Sequence, residues 1–195
     1  MESESESGRR PVRGRWGGIL SPRNLVAALI MVVGVLLASG ILSRAVGSAV
    51  DSAYSRVDGI PCETSEGQVF HIHAHLTLLR GGQSVAVPAN VGIPDGACFY
   101  WLHTHDDSGV IHIEAPKTFR PRLGNFFDIW GQPLSRTRAA SLQMRNGLRL
   151  MVFVNLRPYT GNPRAIPLSS HTDVTVELGP PFEPPERYDF ASRGY

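Results

Sequence analysis

From Gln68 onward, apolar and polar residues alternate in short runs rich in Val, Ile, Leu, Phe, Thr and Tyr, with turn residues between the runs. Alternation with a period of two is typical of strands buried on one face. The pattern predicts six strands, at Val69–Leu79, Ser84–Pro88, Cys98–Thr104, Val110–Glu114, Leu148–Leu156 and Thr172–Leu178. Gly81 and Gly82 separate the first two strands, which favours a hairpin.

One segment has the pattern of a helix instead. Leu123–Trp130 is followed by Gly131 and Pro133, which is typical of a short helix and its end. We therefore predict a mainly β domain, a small antiparallel β-sandwich or barrel that carries one short helix. After Gly179 the chain is rich in proline, which disfavours a further strand, so residues 180–195 are predicted to form an extended Pro-rich tail.

A long apolar run precedes the β pattern. Leu25–Leu42 contains eighteen residues without a charge, and a helix crosses a bilayer with about 20. Arginines precede this run, and basic residues favour the cytoplasmic side of a membrane. The sequence thus predicts a single-pass protein of the cell membrane with a disordered, basic cytoplasmic tail at 1–23, a transmembrane signal-anchor helix at 24–43, a linker at 44–61 and an extracytoplasmic domain at 62–179. A cleaved signal peptide, processed near Ala45–Gly47, is the alternative and would make the protein secreted.

The net charge lies in the N-terminal tail. Of the 19 basic and 17 acidic residues, five and three precede Ser43, which leaves 14 of each in the remainder. A neutral domain lacks the basic surface that binds phosphate backbones, so we expect no nucleic-acid partner. The membrane is the expected partner of the N-terminal helix, and a protein partner stays open.

The two cysteines, Cys62 and Cys98, both lie in the predicted extracytoplasmic domain. Oxidising compartments favour disulfides, so a bond between these cysteines is expected. The alternative is a copper thiolate at Cys98, with His103 five residues away and Met144 or Met151 as the axial ligand.

Six of the seven histidines lie between positions 71 and 112. Residues two apart on a strand share a face and lie roughly 6.6 to 7 Å apart, which places the imidazoles of an H-x-H pair within reach of one ion. His71, His73 and His75 share one strand face, but a single ion reaches only two of them. The candidate metal ligands are His71, His73, His75, His103, His105, His112 and Glu114.

A strong turn sequence, Asp106–Gly109, connects the later members of this set. A hairpin closed by either a two- or a four-residue loop places on one face His103, His105, His112 and Glu114. Asp106 and Asp107 are candidates for the acceptors that orient ligand imidazoles from outside the metal shell. His171 is isolated near the end, and we expect an ordinary surface or hydrogen-bonded histidine there.

Three motifs of this chain occur together in a group of related proteins. They are H-x-H-x-H at His71–His75, W-L-H-T-H-D-x-S-G-x-I-H-I-E at Trp101–Glu114 and F-F-D-I-W-G-Q-P-L at Phe126–Leu134. On these motifs the chain resembles a family of small, membrane-anchored, extracytoplasmic prokaryotic proteins. The resemblance implies a common site without implying a reaction.

Imidazole and carboxylate ligands suit copper and zinc, with iron possible, and copper is slightly preferred. The sequence therefore predicts a membrane-tethered, extracytoplasmic metal-binding protein for copper or zinc delivery, sequestration or sensing. One alternative is a metal-dependent enzyme, which needs an open coordination position on non-haem iron or zinc, with Tyr100 and Trp101 lining a pocket. Another is an envelope assembly module without metal, which would dock through Phe126–Trp130.

Overall fold

The structure is a computed structural model that describes residues 54–195. This part of the chain is mainly β. Its strands are β1 (Cys62–Glu63), β2 (Phe70–Arg80), β3 (Gln83–Val85), β4 (Phe99–Tyr100), β5 (Leu102–His103), β6 (Val110–Ala115), β7 (Arg138–Ala139), β8 (Leu142–Gln143), β9 (Arg149–Val154), β10 (Arg157–Pro158) and β11 (Thr172–Gly179). The α-helix found there, α1, spans Leu123–Trp130, and 3-10 turns lie at Pro94–Gly96, Pro163–Ala165 and Ala191–Arg193.

The predicted cytoplasmic tail, the transmembrane helix and the first part of the linker lie outside the described residues. Within residues 54–195, no helix has the length and apolar character needed to cross a membrane. Residues 54–61, which we assigned to the linker, pack on the domain. Val57 and Ile60 form a β-bridge, Ile60 is buried, and the Tyr100 hydroxyl donates to the carbonyl of Ser55 at 2.6 Å. The folded domain therefore begins before Cys62.

The main sheet has seven strands in the order β10-β9-β11-β2-β6-β5, with β3 paired to the end of β2. Strands β2 and β11 are parallel, whereas the other pairs of this sheet are antiparallel. The expectation of a mainly β domain with one helix is confirmed for the described residues. Their strands form an open, mixed sheet that does not close into a barrel. The parallel pair of β2 and β11 also departs from the antiparallel arrangement that the sequence predicts, because a long crossover connects these two strands.

One face of this sheet forms the hydrophobic core. Leu76 and Leu78 of β2 lie beside Val174 and Val176 of β11, and all four are at most 1% exposed. The other side of the core includes helix α1, which begins and ends where the sequence predicts. Its Phe126 and Phe127 are fully buried, so this segment belongs to the core and offers these rings to no partner.

The opposite face of the sheet is polar and is partly covered by residues 183–195. Glu177 of β11 is fully buried there, and its carboxylate accepts hydrogen bonds from the backbone N–H groups of Gly82 and Glu183. Asp173 accepts a further backbone hydrogen bond from Tyr188. The predicted Pro-rich tail therefore lies against the sheet, with two buried carboxylates holding its backbone.

A disulfide joins Cys62 to Cys98, as the sequence predicts. It links β1 to the residue just before β4, and these two strands pair. Nearby, the indole of Trp101 donates to the carboxylate of Glu63 at 3.0 Å. Because both sulfur atoms are in the disulfide, the alternative of a copper thiolate at Cys98 is wrong.

Replacing both Cys62 and Cys98 by Ala is expected to lower the free energy of unfolding by about 3–4 kcal/mol, because the bond closes a loop between residues 36 positions apart. Urea denaturation of the variant and the parent chain, without reductant, measures this difference. Superimposable transitions would contradict it.

Candidate metal centre

Strand β6 lies between β2, which carries His71 and His73, and β5, which ends at His103. Its His112 is the register partner of His73 on β2 and of His103 on β5. The register of the predicted hairpin is thus confirmed, but residues 104–109 connect its strands, a longer loop than the two or four residues expected. Strand β2 is the neighbour of β6 on the other side. Because the pleat turns every second residue to the same face, three imidazoles form a row across three adjacent strands.

A second row lies beside the first, where His71 of β2 pairs with Glu114 of β6. The two rows form two overlapping groups whose ligand atoms lie within 4.8 Å of one another. We call them the β2 group and the β5 group, and both contain His112 and Glu114. The β2 group adds His71 and His73, and the β5 group adds His103 and His105.

The distances in the β2 group match those between the ligands of one ion. The Nε2 atoms of His71 and His73 are 3.3 Å apart, and Oε1 of Glu114 lies 3.2 Å from His71 Nε2 and 3.4 Å from His112 Nδ1. Two ligands of a tetrahedral zinc ion, with bonds of about 2.0–2.1 Å, are about 3.3 Å apart. Three ligand separations of the β2 group therefore match those of a tetrahedral coordination shell.

In the β5 group, the lone pair on Nε2 of His103 accepts no hydrogen bond. Nδ1 of the fully buried His103 donates to the carbonyl of Tyr100 at 2.9 Å. In a neutral ring the other nitrogen, Nε2, is then the unprotonated one. This fixed tautomer is the one found in metal-ligating histidines, whose second nitrogen is held by a backbone carbonyl or carboxylate.

Glu66 extends the β5 group and was missed by the sequence analysis. Its Oε1 lies 3.3 Å from Nε2 of His105 and 3.6 Å from Nε2 of His103. Glu66 precedes β2 in a loop, where no strand alternation predicts the direction of its side chain. It brings a second carboxylate to the metal-binding face.

Two atoms of the β5 group are buried without a hydrogen-bond partner. They are Nε2 of His103 and Oε2 of Glu114, and in residues 54–195 the hydroxyl of Tyr188 is the one other buried side-chain polar atom in this condition. A buried polar atom without a partner costs about 1–3 kcal/mol. A metal ion would be a partner for both atoms, because it accepts electron pairs from imidazole nitrogen and from carboxylate oxygen.

Burial and neighbouring groups shift the pKa values of three ligands towards the protonation states that bind metal. Burial lowers the pKa of His73 to about 4, with the His112 and His71 rings acting in the same direction. Burial also lowers the pKa of His103 to about 4. For Glu114, burial raises the pKa, but the hydrogen bond with His112 and the neighbouring histidines outweigh it, so the pKa falls below its ordinary value. At pH 7, His73 and His103 are therefore neutral and Glu114 is ionised.

His75 lies outside both groups. Its Nε2 donates to the carbonyl of Ser108 at 3.0 Å, and its Nδ1 lies 3.1 Å from Oδ1 of Asp173. The ring of Tyr188 stacks on it, with centroids 3.7 Å apart. With both nitrogens engaged and one ring face covered, His75 links β2, the β5–β6 turn, β11 and the final segment.

The remaining predicted residues have other contacts. Asp106 and Asp107 are exposed. Hydrogen bonds from the side chain and then the backbone N–H of Ser108 lower the pKa of Asp106. The carboxylates found against imidazoles are instead Glu66, Glu114 and Asp173. His171 belongs to neither group and stacks on Phe190 at 4.6 Å.

An aromatic residue also covers the rim of the β2 group. The ring of Tyr195 lies 4.3 Å from the ring of His73 and 5.5 Å from that of His112. By contrast, the side chains of His71 and His105 are each 44% exposed. The centre is thus buried at His103 and Glu114, covered at His73, and accessible to solvent at His71 and His105.

Comparisons with protein-family models, with curated proteins and with solved structures find no match to this chain. The geometry of the centre is therefore the basis of the functional argument.

His75→Ala is expected to lower the free energy of unfolding by about 1–3 kcal/mol, because it leaves the buried carboxylate of Asp173 without its imidazole partner. Its metal content should equal that of the parent chain. His71→Ala is the matched comparison, with reduced metal content and nearly unchanged stability. Urea denaturation and elemental analysis measure both quantities, and loss of metal from His75→Ala at unchanged stability would contradict the assignment.

The metal-free protein is expected to lose stability as the pH falls from 6.5 towards 4. In this window the histidines of the unfolded chain take up protons, whereas His73 and His103 in the folded protein do not, so protons favour the unfolded chain. The fully buried His103 contributes about 3 kcal/mol to this loss.

Urea midpoints measured in EDTA at pH 7, 6 and 5 test this expectation. They should decrease in that order, and less steeply in His103→Gln. A midpoint that stays constant or increases on acidification would contradict it.

Proposed function

We propose that this protein binds a metal ion through the histidines and carboxylates of the β2 and β5 groups. The observation that carries the proposal is the pair of buried atoms, Nε2 of His103 and Oε2 of Glu114, that have no hydrogen-bond partner. Both belong to residues whose other polar atoms are engaged or lie at ligand spacing. A solvated polar face would have water at these atoms, whereas His103 is fully buried and Glu114 is 4% exposed.

The metal we propose is copper or zinc, with copper slightly preferred. The two cysteines are in a disulfide, so no thiolate is available, and the donors are imidazole nitrogens and carboxylate oxygens. Imidazole suits copper, zinc and iron, and the affinity of divalent ions for such donors peaks at Cu(II). Fe(II) is the less favoured candidate.

We further propose that the domain works outside the cytoplasm, held to the membrane by the apolar segment at 24–43. The disulfide supports this proposal, since such bonds persist in oxidising compartments. The charge asymmetry around the apolar segment supports it as well. Delivery, sequestration or sensing of the metal are the roles that suit a small tethered domain.

A metal-dependent enzyme is the second candidate, and the exposure of His71 and His105 is the observation that favours it. An enzyme needs a coordination position that substrate or water occupies. The β2 group, however, supplies four protein ligands within 4.8 Å of one another. Four protein ligands leave no such position on zinc, which favours binding over catalysis.

The test is the metal content of the full chain, purified in mild detergent without a polyhistidine tag and dialysed against Cu(II), Zn(II) or Fe(II). We expect stoichiometric copper or zinc that survives gel filtration. His73→Ala should raise the dissociation constant for the metal at least tenfold, since it removes a ligand from the β2 group.

His171→Asn is the matched control, because it removes a histidine from outside both groups, and Asn tolerates the positive φ of 60° at this position. It should bind metal like the parent chain. No stoichiometric metal with any of the three ions would refute the proposed function.

A further inference from the structure

We propose that the centre holds two metal ions, one over each side of β6, with Glu114 as the bridge between them. This inference rests on the proposed function and deepens it. The ion of the β2 group would be bound by Nε2 of His71 and His73, Nδ1 of His112 and Oε1 of Glu114. The ion of the β5 group would be bound by Nε2 of His103 and His105, Oε1 of Glu66 and Oε2 of Glu114.

The number of ligands favours two ions. Seven side chains converge here, more than the four ligands that a tetrahedral zinc ion accepts. Because Glu114 offers two oxygens, these side chains supply eight ligand atoms, which is two complete tetrahedral shells. A single ion would leave half of them unused.

The buried atoms that lack hydrogen-bond partners also favour a second ion. Oε1 of Glu114 is 3.2 Å from His71 and 3.4 Å from His112, both in the β2 group. An ion in that group alone would therefore leave Oε2 of Glu114 and Nε2 of His103 buried without partners. An ion in the β5 group gives both atoms a ligand bond, so the second ion explains what the first does not.

The spacing of the strands suits two bridged ions. The two groups lie over the two gaps that flank β6, and neighbouring strands are about 4.7–4.9 Å apart. Bridged two-metal sites have ions about 3.5–4 Å apart. Two ions, each displaced slightly towards the shared carboxylate of Glu114, meet that separation.

The negative charges of the carboxylates at the centre also suit two ions. Two divalent ions repel each other, and nearby carboxylates offset this repulsion. Glu66 lies beside His103 and His105. The ion of the β5 group would thus have Glu66 and one oxygen of Glu114, and the ion of the β2 group would have the other oxygen of Glu114.

The experiment is titration of the full chain with Cu(II), followed by elemental analysis and electron paramagnetic resonance. We expect two copper ions per chain and an integrated spin intensity well below two, because the carboxylate couples the two unpaired electrons. One copper ion per chain would overturn the two-ion inference and leave the proposed function standing. No bound copper would overturn the two-ion inference, and the absence of bound zinc and iron as well would overturn the proposed function.

Single variants then separate the two ions. His105→Ala and Glu66→Gln affect the β5 group at solvent-accessible positions, and each should bind one copper ion with one full, uncoupled spin. His71→Ala should also retain one ion, and His171→Asn should retain two. Two copper ions with fully independent spins in the parent chain, or loss of both ions from His105→Ala, would overturn the bridged arrangement.

Discussion

Strand β6 presents His112 and Glu114 to the same face as His71 and His73 of β2 and His103 of β5. This follows from the pleat, which turns alternate residues to opposite faces and leaves Ile111 and Ile113 in the core. A shift of one residue in the register would exchange the two sets, placing imidazoles in the core and isoleucines at the surface. The apolar side of β6 thus fixes the register on which the metal centre depends.

The polar face contains three buried carboxylates, and the fold treats them differently. Glu177 accepts backbone hydrogen bonds from Gly82 and Glu183, and Asp173 accepts one from Tyr188 and contacts His75. Both are therefore part of how residues 183–195 are held against the sheet. Glu114 is the exception, with one oxygen among imidazoles and the other without a partner. This difference separates the structural carboxylates from the functional one.

Much of this centre was predictable, because it depends on local alternation. The convergence of His103, His105, His112 and Glu114 follows from the hairpin register and a period of two, and the structure confirms it. The division among His71, His73 and His75 was not predictable, since it depends on Asp173, 98 residues from His75. Glu66 was missed because it lies in a loop. The parallel pairing of β2 with β11 was missed because strand patterns do not give pairing direction.

The central claim is that imidazoles from three adjacent strands bind metal on one face of the sheet. Anomalous diffraction at the zinc edge, from crystals of the zinc-loaded protein, tests it most directly. The account predicts anomalous peaks about 2.0–2.1 Å from Nε2 of His71, His73 and His103. Peaks at His171 or at surface carboxylates, with none between β2, β6 and β5, would contradict it.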